Sequence, residues 1–128
     1  MKSRYEIALV LQELGITPNY TGYFQTAEAV GLCVKEPERL TLITKLVYAE
    51  VGKKYAVKWT TVERNIRTVA AMAWERSPLL MEELMGCKLN YRPCASQFVA
   101  ALTMKVLSRC MPHSKLDKAQ LKERENLA

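Results

Sequence analysis

The sequence predicts an all-α domain of about six helices with little or no sheet. Apolar residues recur at spacings of three or four along most of the chain, and Gly and Pro fall at the ends of these periodic segments. Only Lys88 to Tyr91 alternates, which allows a brief extended pair. The 128 residues are enough for one domain that buries a core without a disulfide or metal. We expect a helical domain over residues 1–112 and a charged tail over 113–128.

Four helices are expected in the first half of the chain. The first ends at Gly15, a common helix terminator. The second is capped by Thr21 or Thr26, and Pro37 suits the first turn of the third. A short helix follows from about Ala49 to Tyr55. The apolar faces comprise Ile7, Val10, Leu11 and Leu14 in the first helix, Phe24, Ala27, Val30 and Val34 in the second, and Leu40, Ile43, Leu46 and Val47 in the third.

Three further helices are expected in the second half. A long helix runs from about Trp59 to Arg76, and Ser77 and Pro78 start a short one that ends near Leu84. The last runs from about Ala95 to Cys110, and Pro112 ends it. Its core face comprises Phe98, Val99, Leu102 and Val106.

The segment from Tyr48 to Arg67 has the features of a helix-turn-helix. This motif needs a short first helix with a small residue at the crossing, a tight turn, and a second helix anchored by apolar residues. The assigned residues are Val51 and Tyr55 on the buried face, Gly52 at the crossing, Ala56 and Val57 in the turn, and Val62 and Ile66 as anchors. We therefore expect a fold of the winged-helix-like class of DNA-binding domains.

The second helix of this motif has one apolar and one polar side. At about 100° per residue, the apolar side comprises Val62, Ile66, Val69 and Ala73, and the polar side comprises Thr60, Arg64, Arg67 and Ala71, flanked by Glu63. Arginine can bond two guanine acceptors at once, and Glu63 can accept from a cytosine amino group or orient an arginine. A solvated amphipathic helix has the same wheel, but the preceding helix and turn favour a recognition helix.

Positive charge is concentrated around this motif. The chain has 19 Lys and Arg against 13 Asp and Glu, a net charge of +6. Positions 45–76 contain seven basic and three acidic residues, which contribute +4 of that total. Lys53, Lys54 and Lys58 fall on the first helix and the turn, where such motifs meet the phosphate backbone.

Other classes of function have little support in the sequence. Cys33, Cys87, Cys94 and Cys110 form no Cys-x-x-Cys pair, and the single histidine, His113, does not complete a zinc site. No Gly-rich phosphate loop or nucleophile–base pair is found, so we expect no enzyme, metal or cofactor. The absence of a signal peptide and of a long apolar run predicts a cytoplasmic protein with free thiols.

Several segments resemble the C-terminal effector domain of the stage zero sporulation protein A family, the sporulation response regulators of endospore-forming Firmicutes. The shared segments include Ile43-Thr-Lys-Leu-Val-Tyr48, Lys53-Lys-Tyr55, Val62-Glu-Arg64, Ile66-Arg67, Ala73-Trp74 and Ser96-Gln-Phe98. The resemblance covers roughly Tyr5 to Cys110. It implies a helical regulator of transcription that binds a short promoter element in double-stranded DNA, often as a tandem homodimer.

The resemblance also implies particular contacts. The family's base- and phosphate-contacting positions fall on Thr60, Thr61, Glu63, Arg64 and Arg67. Thr61 stands where the family can have Arg, and Trp59 where it has a small residue, so an operator sequence is not carried over. The segment from Arg76 to Asn90 corresponds to a region that touches RNA polymerase sigma factor, although its residues match poorly.

The resemblance leaves a second interpretation open. The family's regulators carry an N-terminal receiver domain, which these residues do not include, and the Met1-Lys2-Ser3 start and the tail favour a stand-alone relative over an excised domain. Such a chain could act as a protein-interaction module that modulates a full-length response regulator. Arg64 and Arg67 on an exposed helix face favour DNA binding instead.

Overall fold

The computed structural model describes residues 2–110, and helices dominate this part of the chain. Its α-helices are α1 (Lys2–Glu13), α2 (Tyr23–Lys35), α3 (Ala49–Tyr55), α4 (Trp59–Arg76), α5 (Pro78–Met85) and α6 (Ala95–Cys110). No strand occurs within residues 2–110, so the expected all-α class with about six helices is confirmed. Pro112 and the tail from His113 to Ala128 lie outside the described residues.

Helix α6 forms the centre of the domain. It packs against α1, α2, α4 and α5, and Phe98, Leu102 and Val106 on its inner face are buried, as the periodicity predicted. Near the C-terminal end of α6, Arg109 pairs with Glu13 at 2.9 Å and with Glu6 at 3.8 Å. These two ion pairs join the last turn of α6 to the outer side of α1.

The N-terminus of helix α2 and its buried face both differ from the sequence prediction. Gly22, at φ 90°, precedes its first residue, and neither Thr21 nor Thr26 caps it. A Cβ at Gly22 would lie 2.8 Å from the Asn65 carbonyl oxygen, so the approach of α2 to α4 requires glycine here. The buried face is shifted by one residue from the predicted one, which leaves Phe24 56% exposed.

The predicted third helix is not an α-helix. A 3₁₀ segment, Pro37–Leu42, is followed by a π-helical segment, Thr44–Tyr48, which continues into α3. The i→i+5 pattern of a π-helix is wider than the α pattern, so the buried positions shift. Val47 and Tyr48 are buried, whereas Leu46 is exposed. The Arg39 guanidinium donates a hydrogen bond to the Leu46 carbonyl at 2.6 Å, which holds the two segments together.

The segments before and after α5 are each held by a side-chain hydrogen bond. Pro78 begins α5 as predicted, but the Ser77 hydroxyl donates to the Leu14 carbonyl at 3.3 Å and does not cap the helix. The segment from Lys88 to Tyr91 forms no strand, so the extended pair that its alternation allowed does not occur within residues 2–110. The amide of Leu89 donates to the Glu82 carboxylate at 2.9 Å, so a side chain takes the place of a partner strand.

The turn between α3 and α4 depends on a close backbone approach. A Cβ at Gly52 would lie 2.5 Å from the Val57 carbonyl oxygen, and the Val57 amide donates to the Gly52 carbonyl at 2.9 Å. Between them, Ala56 adopts the left-handed conformation at φ 56° and ψ 43°. The predicted crossing residue and turn are therefore confirmed.

We predict that Gly52→Ala lowers the free energy of unfolding by about 1–3 kcal/mol, because the added methyl forces backbone atoms apart. The matched control is Gly31→Ala in α2, where a Cβ meets only the Ile7 Cδ1 atom at 4.0 Å. Gly31→Ala should raise the free energy of unfolding by about 0.5–1 kcal/mol, since glycine destabilises a helix interior. Urea unfolding measures both changes, and a stabilising Gly52→Ala would show that the turn does not need glycine.

Candidate nucleic-acid interface

The inner side of α4 anchors the helix-turn-helix in the core. Val62 and Ile66 are fully buried together with Val51 of α3, which confirms these three residues as packing positions. Tyr55 was expected on the same buried face, but it is 36% exposed because it lies at the end of α3, beside a cavity between α1 and α2. Within residues 2–110, no other helix covers the opposite side of α4, where Arg64 and Arg67 are exposed.

The opposite side of α4 presents the five residues predicted to contact bases. Thr60, Arg64 and Arg67 are exposed, and Thr61 and Glu63 are half-buried at the edges of this face. All five belong to the first half of α4, next to the turn. We call these five residues the α4 polar face. Their arrangement suits insertion of the helix N-terminal half into a major groove.

The two arginines of the α4 polar face differ in their surroundings. Arg67 pairs with Glu63 at 3.3 Å, so its guanidinium is held along the helix axis. Within residues 2–110, Arg64 makes no ion pair. Because no carboxylate competes for it there, Arg64 is the arginine more readily available to an incoming acceptor.

The three lysines predicted to contact phosphate also differ. Lys53 pairs with Glu50 at 3.6 Å on the surface of α3. Lys54 donates to Glu28 of α2 at 2.8 Å, and this hydrogen bond raises the pKa of the Lys54 ammonium. Lys58 is exposed and has no acidic partner in the part of the chain described. Lys53 and Lys58 share a surface depression with Thr61 of the α4 polar face, whereas Lys54 lines the cavity between α1, α2 and α3.

The beginning of α4 is open to solvent. Lys58 precedes the helix in an extended conformation, and no side chain of residues 2–110 caps the first amide groups of α4. The positive end of the helix is therefore available to a phosphate oxygen. Trp59, the first residue of α4, is 45% exposed and lies beside Val57 in the turn.

Two contacts that position the interface were not foreseen from the sequence. Glu28 holds Lys54 across 26 positions of the chain, and Gln25 accepts a hydrogen bond at 3.0 Å from the Asn65 side chain, 40 positions away. Neither pair has a local spacing signal, because each joins α2 to the helix-turn-helix through the tertiary fold. Together they fix α2 beside both helices of the motif.

The described part of the chain has free thiols and no metal-binding cluster. No group of three or more His, Cys, Asp or Glu side chains converges within residues 2–110 in a way that could hold a metal ion. Cys33, Cys87, Cys94 and Cys110 are all free thiols. Among the described helices, none has the length and apolar character needed to cross a bilayer.

The comparison with known families agrees with the geometry of α3 and α4. The family described as sporulation initiation factor Spo0A C terminal matches residues 7–106, which include every helix from α2 to α5 and most of α1 and α6. This family is a DNA-binding domain of a sporulation regulator. The resemblance inferred from the sequence is thereby confirmed, and the chain belongs to the Spo0A C-terminal domain family.

Proposed function

We propose that this chain regulates transcription by reading a promoter element in double-stranded DNA through the α4 polar face. One observation carries the proposal: Thr60, Arg64 and Arg67 lie exposed on one side of a helix whose other side is locked into the core. The side chains that would touch bases are thus positioned by buried packing and not by flexible loops. A base-reading helix needs this combination of rigidity and exposure.

Each residue of the face has a chemical role in the proposal. Arg64 and Arg67 donate to guanine O6 and N7, Glu63 orients Arg67 through their 3.3 Å ion pair, and Thr60 and Thr61 contact thymine methyl groups or backbone phosphate. Lys53, Lys54 and Lys58 bind phosphate and fix the register of the helix on the duplex. For Lys54, this contact requires it to share or leave the Glu28 carboxylate.

We predict that Arg64→Ala abolishes most of the preference for a family promoter element over a scrambled duplex. A bidentate arginine–guanine contact provides about 1–3 kcal/mol of discrimination, so the preference should fall by roughly 5- to 150-fold. Fluorescence anisotropy at two salt concentrations measures both affinities. Arg92→Ala is the matched control, because Arg92 is also exposed but lies between α5 and α6.

The variant Lys58→Ala separates phosphate contacts from base contacts. Lys58→Ala should weaken binding to both duplexes equally and reduce the slope of log affinity against log salt by about 1, while the preference stays. Equal binding of both duplexes by the parent protein, unaffected by Arg64→Ala, would contradict base reading. That result would favour the alternative, a protein-interaction module that modulates a full-length response regulator.

Helix α5 is the element best suited to a protein partner. Leu79 is 79% exposed and Leu80 is 43% exposed, side by side on α5. The proposal places a protein contact here, where both leucines would leave water on binding. In our proposal this surface contacts a second copy on the adjacent promoter element, and RNA polymerase sigma factor is the other candidate partner.

We predict that Leu79→Ser reduces cooperative binding to a duplex with two tandem elements. The affinity for a single element should stay within about twofold, because an exposed apolar side chain affects binding only when a partner covers it. Leu42→Ser is the control, because Leu42 is also exposed, at 58%, but lies in the 3₁₀ segment. Gel-shift titrations of one-site and two-site duplexes measure the cooperativity. Unchanged cooperativity would rule out α5 as the contact between copies.

A further inference from the structure

A half-open cavity of about 400 Å³ lies where α1, α2 and α3 meet, and no residue of α4 lines it. We call it the α1–α2–α3 groove. Its apolar lining includes Ile7, Phe24, Ala27, Gly31 and Tyr55. Small-molecule sites in proteins have volumes of roughly 300–1,000 Å³, so the groove has the size of a ligand site.

Two of the three aromatic residues that line the groove are at positions where helical periodicity predicts burial. Phe24 and Tyr55 were both assigned to core faces, yet they are 56% and 36% exposed. Both line the same groove, one from α2 and the other from α3. Their rings therefore form an apolar surface that the side chains of residues 2–110 do not fill. Such disagreements between local pattern and tertiary structure are typical of functional positions.

Gly31 keeps the groove open. It lies in the interior of α2, where glycine weakens a helix relative to alanine. Nothing in the backbone requires glycine here: its φ is not positive, and an added Cβ would meet only the Ile7 Cδ1 atom at an ordinary 4.0 Å. A larger side chain at this position would project into the groove. Glycine at position 31 therefore destabilises α2, and the open volume of the groove is the structural effect that accompanies it.

The charged lining of the groove is predominantly positive. It comprises Arg4, Lys35, Lys54 and Glu28, and the last two neutralise each other through their 2.8 Å ion pair. Arg4 and Lys35 make no ion pair within residues 2–110. Two cationic side chains therefore lie beside an apolar surface that carries no uncompensated acid. This combination complements a molecule with one apolar part and one negative charge.

We propose that the α1–α2–α3 groove binds a small organic anion with an apolar body, an aromatic or short acyl carboxylate. The apolar body packs against Phe24 and Tyr55, and the carboxylate lies toward Arg4 and Lys35. A protein partner is a poorer fit, because a stable interface covers about 800 Å² on each side, far more than one groove of this size. The proposal is independent of promoter reading, although Lys54 and Tyr55 belong to the first helix of the helix-turn-helix.

The test uses 1-naphthoate as the probe and the uncharged 1-naphthalenemethanol as its matched analogue. Isothermal titration calorimetry should show one site for 1-naphthoate on the full chain, with the analogue about fivefold weaker or more. Gly31→Leu should weaken binding by about tenfold or more, with a melting temperature equal to or above that of the parent. Arg4→Gln should weaken it severalfold, and Arg92→Gln, outside the groove, should leave it unchanged.

Two results would overturn the proposal. The first is the absence of saturable binding at millimolar 1-naphthoate. The second is a Gly31→Leu variant that binds as the parent does. If Gly31→Leu fails to fold, Phe24→Ser replaces it, because this residue is already half-exposed and its loss should still remove most of the affinity. Unchanged binding by Phe24→Ser together with Arg4→Gln would place the probe elsewhere on the surface.

Discussion

The close approach of Gly52 to the Val57 carbonyl is the constraint on which the interface depends. It brings the end of α3 against the turn so tightly that a single methyl group would clash. The left-handed Ala56 then reverses the chain, and α4 starts two residues after Val57. Because α4 is an 18-residue helix anchored by Val62 and Ile66, its direction at the turn fixes which side chains reach solvent. The α4 polar face is a consequence of this one turn.

In the described part of the chain, some basic residues of α3 and α4 are held in ion pairs, and others are not. Arg67 and Lys54 are held by Glu63 and Glu28, whereas Arg64 finds no acidic partner within residues 2–110. Exposed pairs contribute little stability, about 0–1 kcal/mol each, so their main effect is on orientation. The Glu28–Lys54 pair has a second consequence, because it joins the helix-turn-helix to the wall of the α1–α2–α3 groove.

The sequence predicted the helices with strong periodicity and clear end signals. The bounds of α3, α4 and α6 agree with the predicted ones, and the buried anchors Val62 and Ile66 agree as well. It failed where tertiary contacts override the local pattern: the π-helical segment before α3 and the exposed Phe24 in α2. The order of the site residues along α4 could be predicted from the sequence, but the pairing of Glu28 with Lys54 could not. That the α4 polar face contacts bases stays a prediction.

Amide chemical shifts during DNA titration test the central claim most directly. A ¹⁵N-labelled chain would be titrated with a duplex that carries a family promoter element and, separately, with a scrambled duplex. The account predicts that shifts specific to the promoter duplex concentrate between positions 60 and 67, while positions 53–58 shift with both duplexes, because phosphate contacts carry no sequence information. Specific shifts centred on α5 or α6, or identical patterns with both duplexes, would contradict it.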